Sequence, residues 1–240
     1  MLQLPREIKE KYASLPTDSI WDAIEVASIK AISTIFQVGA TANIGEDGIL
    51  HIHLLRDGNQ EEISVNSLNR KAKRRLLDEI EKELMLRQAC YDAWSYATIR
   101  GSVQTGRIER IRTDGTLEVL VELLDLITPI TIYAECPLQH QPPHERLKYQ
   151  PGEMLEFFIV SCLPITNGRL SKVRVIVSRT ARELPSRLLG KLTGMSGIRC
   201  TKRIPGGYSR IIAQHKIPKS AINTVGKKLK EHLEVTCLAK

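Results

Sequence analysis

Paired cysteines, long apolar runs and aromatic side chains are all scarce in this chain of 240 residues, and each scarcity removes a class of protein. The five cysteines (Cys90, Cys136, Cys162, Cys200 and Cys237) are odd in number, scattered and free of any CxxC pair. That argues against a disulfide framework or a cysteine-held zinc site and for reduced thiols in a cytoplasmic setting. No apolar stretch approaches the roughly 18 residues of a membrane span. Even Leu117 to Leu124 is interrupted by Glu118 and Glu122. Met1-Leu-Gln-Leu-Pro-Arg-Glu7 lacks a basic region followed by an apolar one, so no signal peptide and no membrane partner are expected.

Catalytic patterns are missing as well. There is no phosphate loop, no Gly-x-Ser-x-Gly elbow and no spaced pair of carboxylates on a supporting scaffold. His51 and His53 share a strand face, but no third ligand stands at metal spacing, so an exposed polar face is the better reading. The expectation is a non-enzymatic protein with neither cofactor nor metal.

What the chain does have is segregated charge. Its net charge is +8, yet residues 178–240 carry 14 Lys/Arg against 3 Asp/Glu, and the remainder is slightly acidic. Basic charge gathered at one end suits a polyanion, because each phosphate neutralised releases condensed counterions. A solvated basic surface is the alternative.

Three textures follow one another. In residues 1–100, Thr17 or Asp18 caps a helix with Ile20, Ile24, Ala27, Ala31 and Ile35 on one face, and Gly39 ends it. A hairpin from Leu50 to Val65 turns at Asp57-Gly58, with a second turn at Gly45–Gly48. A long helix then spans Leu68 to Ile99, with Leu76, Leu77, Ile80, Leu84 and Tyr91 on one face. Its first turns are basic (Arg70 to Arg75), a sign unfavourable beside a helix N-terminus.

Residues 101–177 hold five short strands: Gly101 to Ile111, Thr116 to Leu123, Ile127 to Tyr133, Met154 to Leu163 and Leu170 to Val177. So many in so short a span suggest a small OB-type barrel. In residues 178–240, Thr180 and Glu183 have capping-box spacing for a helix ending at Gly190 or Gly194. A hairpin, Ser196 to Lys202 and Tyr208 to Gln214, turns through Ile204-Pro205-Gly206-Gly207, where Pro then Gly is the type II preference. A helix from Pro218 to Leu233 and a strand from Glu234 to Leu238 complete an α+β, multidomain chain.

An α–β–α segment with a long helix, then a barrel, then Val175-Ile-Val-Ser-Arg-Thr180 opening a basic segment with Arg203-Ile-Pro-Gly-Gly-Tyr208 resembles the NusA family of transcription factors. The resemblance covers nearly the whole chain in order. It implies an N-terminal domain (1–100) that docks on RNA polymerase, an RNA-binding OB barrel (101–177) and an RNA-binding KH-like domain (178–240). The protein would then modulate elongation, pausing, termination or antitermination. A KH domain grips RNA with a helix–GxxG–helix element. By the resemblance that loop falls on Ile217-Pro218-Lys219-Ser220, where both glycines are absent and Pro218 removes an amide donor. The stretch Ala213 to Lys216 is too short for the first helix, so the domain is trimmed.

RNA contacts are accordingly expected from side chains: Lys202, Arg203, Arg210, Lys216, Lys219, Lys227 and Lys228 on phosphates, with Arg107 and Tyr133 on the barrel. The barrel offers only Tyr133, Tyr149, Phe157 and Phe158 for stacking, and adjacent Phe157 and Phe158 must face opposite ways. Three other functions stay open: a free-standing regulator of mRNA or ribosomes, a polymerase-bound module with little RNA affinity and, more remotely, a hydrolase or nuclease.

Overall fold

The computed structural model describes residues 10–45, 48–56, 58–123, 130–168 and 170–238, and these form an α+β protein with four α-helices and several sheets. They divide into two compact units, one of residues 10–95 with 163–173 and the other of residues 96–162 with 174–238.

In the first unit α1 (Thr17–Phe36) buries Ala23, Ile24, Ala27, Ala31 and Ile32, the stripe its sequence spacing predicts. Pro16 occupies the N-cap, and neither Thr17 nor Asp18 caps the helix. The helix ends at Gln37 in the left-handed region (φ 56°) rather than at Gly39. Gly39 opens strand β1 (Gly39–Ile44), where an added Cβ would lie 3.3 Å from Leu55 Cδ1 on the neighbouring strand. β1 pairs antiparallel with β2 (Leu50–Arg56), which pairs with β3 (Asn59–Glu62). The expected turn residue Asp57 and the middle of the expected 45–48 turn lie outside the described residues.

Leu50, Ile52 and Leu54 alternate into the core that α1 shares with α2 (Arg70–Ser95). Asn69 Oδ1 accepts the Ala72 amide at 2.9 Å and so starts α2 two residues later than expected. A 3₁₀ turn, Tyr96–Ile99, follows it. Leu76, Ile80 and Leu84 are buried, but Tyr91 is exposed; Ala89 and Ala93 continue the buried face in its place.

Five strands follow, β4 (Val103–Ile111), β5 (Leu117–Leu123), β6 (Ile130–Cys136), β7 (Met154–Asn167) and β8 (Leu170–Ser178), all in the second unit except residues 163–167 of β7 and 170–173 of β8. They close in the order β4-β5-β6-β8-β7, with β4 and β7 sealing the barrel and β6 and β8 parallel. The expected start of the third strand, 127–129, lies outside the described residues. Ile108, Val119, Val121, Phe157 and Ile159 fill the interior. Gly106 is required there, because a Cβ would overlap Val119 and lie 3.2 Å from Phe157.

The basic segment packs against this barrel. Its elements are α3 (Leu184–Thr193), β9 (Arg199–Ile204), β10 (Tyr208–Ala213), α4 (Lys219–Leu229) and β11 (His232–Cys237). Val103 of β4 joins Leu184, Leu188, Ile211, Val225 and Leu229 in one core, with Phe158 packed against it. The capping box does not form. Ser178 Oγ accepts the amides of Thr180 and Ala181 at 3.1 and 3.0 Å, which bends the chain and delays α3 to Leu184. Gly194, at φ 69°, ends that helix.

The β9–β10 turn matches its sequence: Gly206 sits at φ 79° and the Gly207 amide donates to the Ile204 carbonyl at 2.9 Å. α4 stops at Leu229, not Leu233, because Lys230 turns left-handed and releases the chain into β11, parallel to β10. Residues 214–218 hold no helix, as their shortness requires.

Candidate nucleic-acid interface

Strand register assembles a row of side chains across the outside of the barrel. Arg107 on β4 is opposite both Met154 on β7 and Leu120 on β5, and Leu120 is opposite Tyr133 on β6. Four strands therefore present Met154, Arg107, Leu120 and Tyr133 in line, at about 4.8 Å per strand. Tyr133 is 70% exposed and Met154 58% exposed. A base could lie flat on the phenol ring with its phosphate toward Arg107, whose guanidinium stands 2.9 Å from Glu109.

Beside this row runs a groove of about 490 Å³ lined by Gln104, Thr105, Arg107, Leu120, Glu122, Met154 and Lys191. Lys191 comes from α3 and also lines a smaller hollow of about 180 Å³ against α4, with Leu188, Val225 and Lys228.

The other aromatics of the barrel are not available. Phe157 is fully buried inside, Phe158 packs toward α3 and α4, and Tyr149 is buried with its hydroxyl donating to Glu145 at 2.8 Å. Burial, and the neighbouring Glu145 carboxylate, push the Tyr149 hydroxyl upward in pKa. Tyr133 is thus the exposed one of the four.

One face row further along, Arg110 binds Glu118. Arg112 spans Glu118 at 2.6 Å and Glu135 at 2.9 Å, and Arg174 meets Glu135 at 2.8 Å. Hydrogen bonds from Arg110 and Arg112 hold the Glu118 carboxyl at about 2, well below its ordinary value. Burial would raise Glu135, but Arg174 and Arg112 outweigh it and lower that carboxyl too.

No protein-family model and no curated protein matches this chain. Its chemistry therefore rests on the site itself.

The basic segment sorts its cations into three kinds. Lys216, Lys219, Lys227 and Lys230 are exposed, with no ion-pair partner among the described residues. Arg210 and Lys228 are exposed but paired, with Glu234 at 3.0 Å and Glu156 at 2.8 Å, while the Lys202 ammonium lies 5.7 Å from the centre of the Tyr208 ring.

Arg203 is a correction. Its side chain is 2% exposed and bound to the fully buried Glu231 at 2.7 Å. Glu231 also accepts the Ser209 hydroxyl at 2.7 Å and the Gly206 amide at 3.1 Å, and Arg203 donates to the Ala181 carbonyl as well. So placed, Arg203 cannot reach a phosphate.

Arg179, part of the Ser-Arg-Thr motif, is likewise interior. It grips Glu145 with two bonds of 2.7 and 2.8 Å and donates to the Glu156 carbonyl at 2.9 Å. Burial would raise the Glu145 carboxyl, yet the Arg179 guanidinium holds it below the usual range. Burial also pushes the adjacent Cys136 thiol up to about 12, so it stays protonated.

Leu120, Met154 and Lys191 line the row and groove but are not singled out by the sequence. Leu120 and Met154 join the row only through register, which a sequence does not state. Lys191 stands among many basic residues until α3 places it at the groove. The two histidines stay apart from any site: His51 pairs with Glu62 at 2.9 Å. No group of three metal-ligating side chains occurs among the described residues, and no helix there is long and apolar enough to cross a membrane.

Proposed function

We propose that this protein is a NusA-like RNA-binding factor that attaches to RNA polymerase through residues 1–100 and holds nascent RNA on the barrel and the basic segment. It would act in the cytoplasm as a binding factor, not a catalyst, altering pausing, termination or antitermination. The observation that carries this reading is the exposed row Met154–Arg107–Leu120–Tyr133 with Lys191 beside it. It joins one stacking ring to cations on a barrel whose strand order and closure support the OB reading.

The helix–hairpin–helix–strand order of residues 184–237 supports a KH-like domain that has lost one helix of its pair. With Pro218 capping α4 and no glycine loop before it, phosphate contacts would come from lysine side chains in place of backbone amides. Such contacts are charge-dominated, so binding should be salt-sensitive and only weakly selective for sequence.

The test is anisotropy of a labelled single-stranded RNA with the full chain across a salt series, together with co-purification of RNA polymerase. Affinity that falls steeply with salt, and polymerase recovered with the full chain but not with residues 96–240, are the expected results. RNA affinity unchanged between low and moderate salt would defeat the RNA half. RNA binding without polymerase would leave a free-standing regulator, and polymerase without RNA a protein-interaction module.

A further inference from the structure

Carboxylates repel phosphates, so those in a groove proposed for RNA need a reason to be there. On the outer barrel Glu109 pairs with Arg107, Glu118 with Arg110 and Arg112, Glu135 with Arg112 and Arg174, and Glu156 with Lys228. Glu122 differs. It is exposed, lines the 490 Å³ groove and has no ion-pair partner among the described residues.

Its position is set by register. Leu120 is opposite Arg107 on one side and Tyr133 on the other, and Glu122 lies two residues along β5 on the same face. It is therefore a diagonal neighbour of both, at roughly 7–8 Å. A base stacked on Tyr133 would turn one edge toward Glu122 while its phosphate reached Arg107 or Lys191.

Resting on the RNA reading above, we infer that Glu122 is the base-reading residue of this groove and that it favours guanine. The chemistry singles out that base. An ionised carboxylate only accepts hydrogen bonds, through two parallel oxygens. Guanine presents two adjacent donors, N1–H and the N2 amino group, which match that pair as a guanidinium does. Adenine and cytosine offer one amino donor beside a ring nitrogen that repels the second oxygen, and uracil sets its N3–H between two carbonyls. Unstacked bases of single-stranded RNA are read on these edges.

The preference is superimposed on charge-dominated binding, so it should be modest, about tenfold, the order of one bidentate base contact. The experiment compares the full chain and Glu122→Gln on labelled U8 and on the same octamer with one central guanine. Glu122 is exposed and has no ion-pair partner among the described residues, so the variant should fold normally; an unchanged circular dichroism spectrum checks that.

Expected are about tenfold tighter binding of the guanine octamer by the wild type and loss of that difference in Glu122→Gln, with U8 bound as well or better once the negative charge is gone. Equal binding of both octamers by the wild type, or a guanine preference that survives in the variant, overturns the assignment while leaving RNA binding intact. No binding of either octamer at low salt overturns the RNA reading and this inference with it.

Discussion

On the barrel, Arg107, Arg110, Arg112 and Arg174 each face a carboxylate, whereas in the segment that follows Lys216, Lys219, Lys227 and Lys230 face solvent with none among the described residues. The two regions lie in one compact unit and share a core, yet they use positive charge differently. A guanidinium fixed by a carboxylate is oriented but half neutralised. A free lysine is mobile and keeps its full counterion release on meeting a phosphate. On the RNA reading proposed above, the barrel would position a nucleotide and the basic segment would supply affinity. A count of charges along the chain does not separate these roles.

The largest effect is expected inside the basic segment. Glu231→Ala leaves Arg203 buried and unpaired and strips partners from Ser209 and the Gly206 amide. A loss of about 3–5 kcal/mol is expected, read as a large fall in the urea midpoint of the full chain. Glu118→Ala on the barrel removes a half-buried carboxylate whose partners Arg110 and Arg112 can still reach water, and should shift that midpoint less.

Next in size is the triple change Lys216/Lys219/Lys227→Ala. With a slope of roughly 0.7 per phosphate for single strands, three lost contacts should reduce the salt dependence of RNA binding by about 2 and the affinity at 0.1 M salt by about two decades. If the barrel change Arg107→Ala reduced the slope more than the triple change did, the division of roles would be reversed.

Tyr133→Ala acts on the barrel. It should weaken RNA binding by about 1–3 kcal/mol while the salt slope stays the same, because stacking releases no counterions. Its exposure of 70% predicts an unaltered urea midpoint.

The smallest effect concerns pH. The Glu118 carboxyl is lowered from 4.5 to about 2 in the folded protein by Arg110 and Arg112. Its contribution is thus fully present above the unfolded value near 4.5 and is lost as pH falls through the folded value near 2. Glu118→Gln should flatten the decline of stability across that window, measured by thermal melts at stepped pH.

Much of the architecture was legible because it is local. The barrel strands announce themselves by alternation between turn residues, as in Leu117–Leu123, where Leu117, Val119, Val121 and Leu123 all point inward. The Pro205-Gly206 turn and the missing helix before Pro218 were equally plain. β1 escaped because Gly39-Ala-Thr-Ala-Asn has little apolar patterning and its glycine resembles a helix stop.

The basic residues misled for a different reason. Arg203 and Arg179 look like surface cations until the fold brings Glu231 and Glu145, 28 and 34 positions away, against them. Thr180 and Glu183 had the right spacing for a cap, but Ser178 captured the amides first. For the candidate site, Tyr133 and Arg107 could be named from the sequence, while their alignment through Leu120 depends on pairing between strands.

The Arg179–Glu145 clamp has a consequence for how length matters in a ligand. It ties the chain leaving β8 to the loop before β7 and to the Glu156 carbonyl, which on the RNA reading proposed above would help to fix the span between Tyr133 and the lysines of α4. Once a strand of RNA is held at one end, its other end meets the second site at an effective concentration governed by the nucleotides between them. A strand too short to span the gap gains nothing from the second site. On that reading affinity should rise in a step as oligonucleotides are lengthened past the span between the two sites.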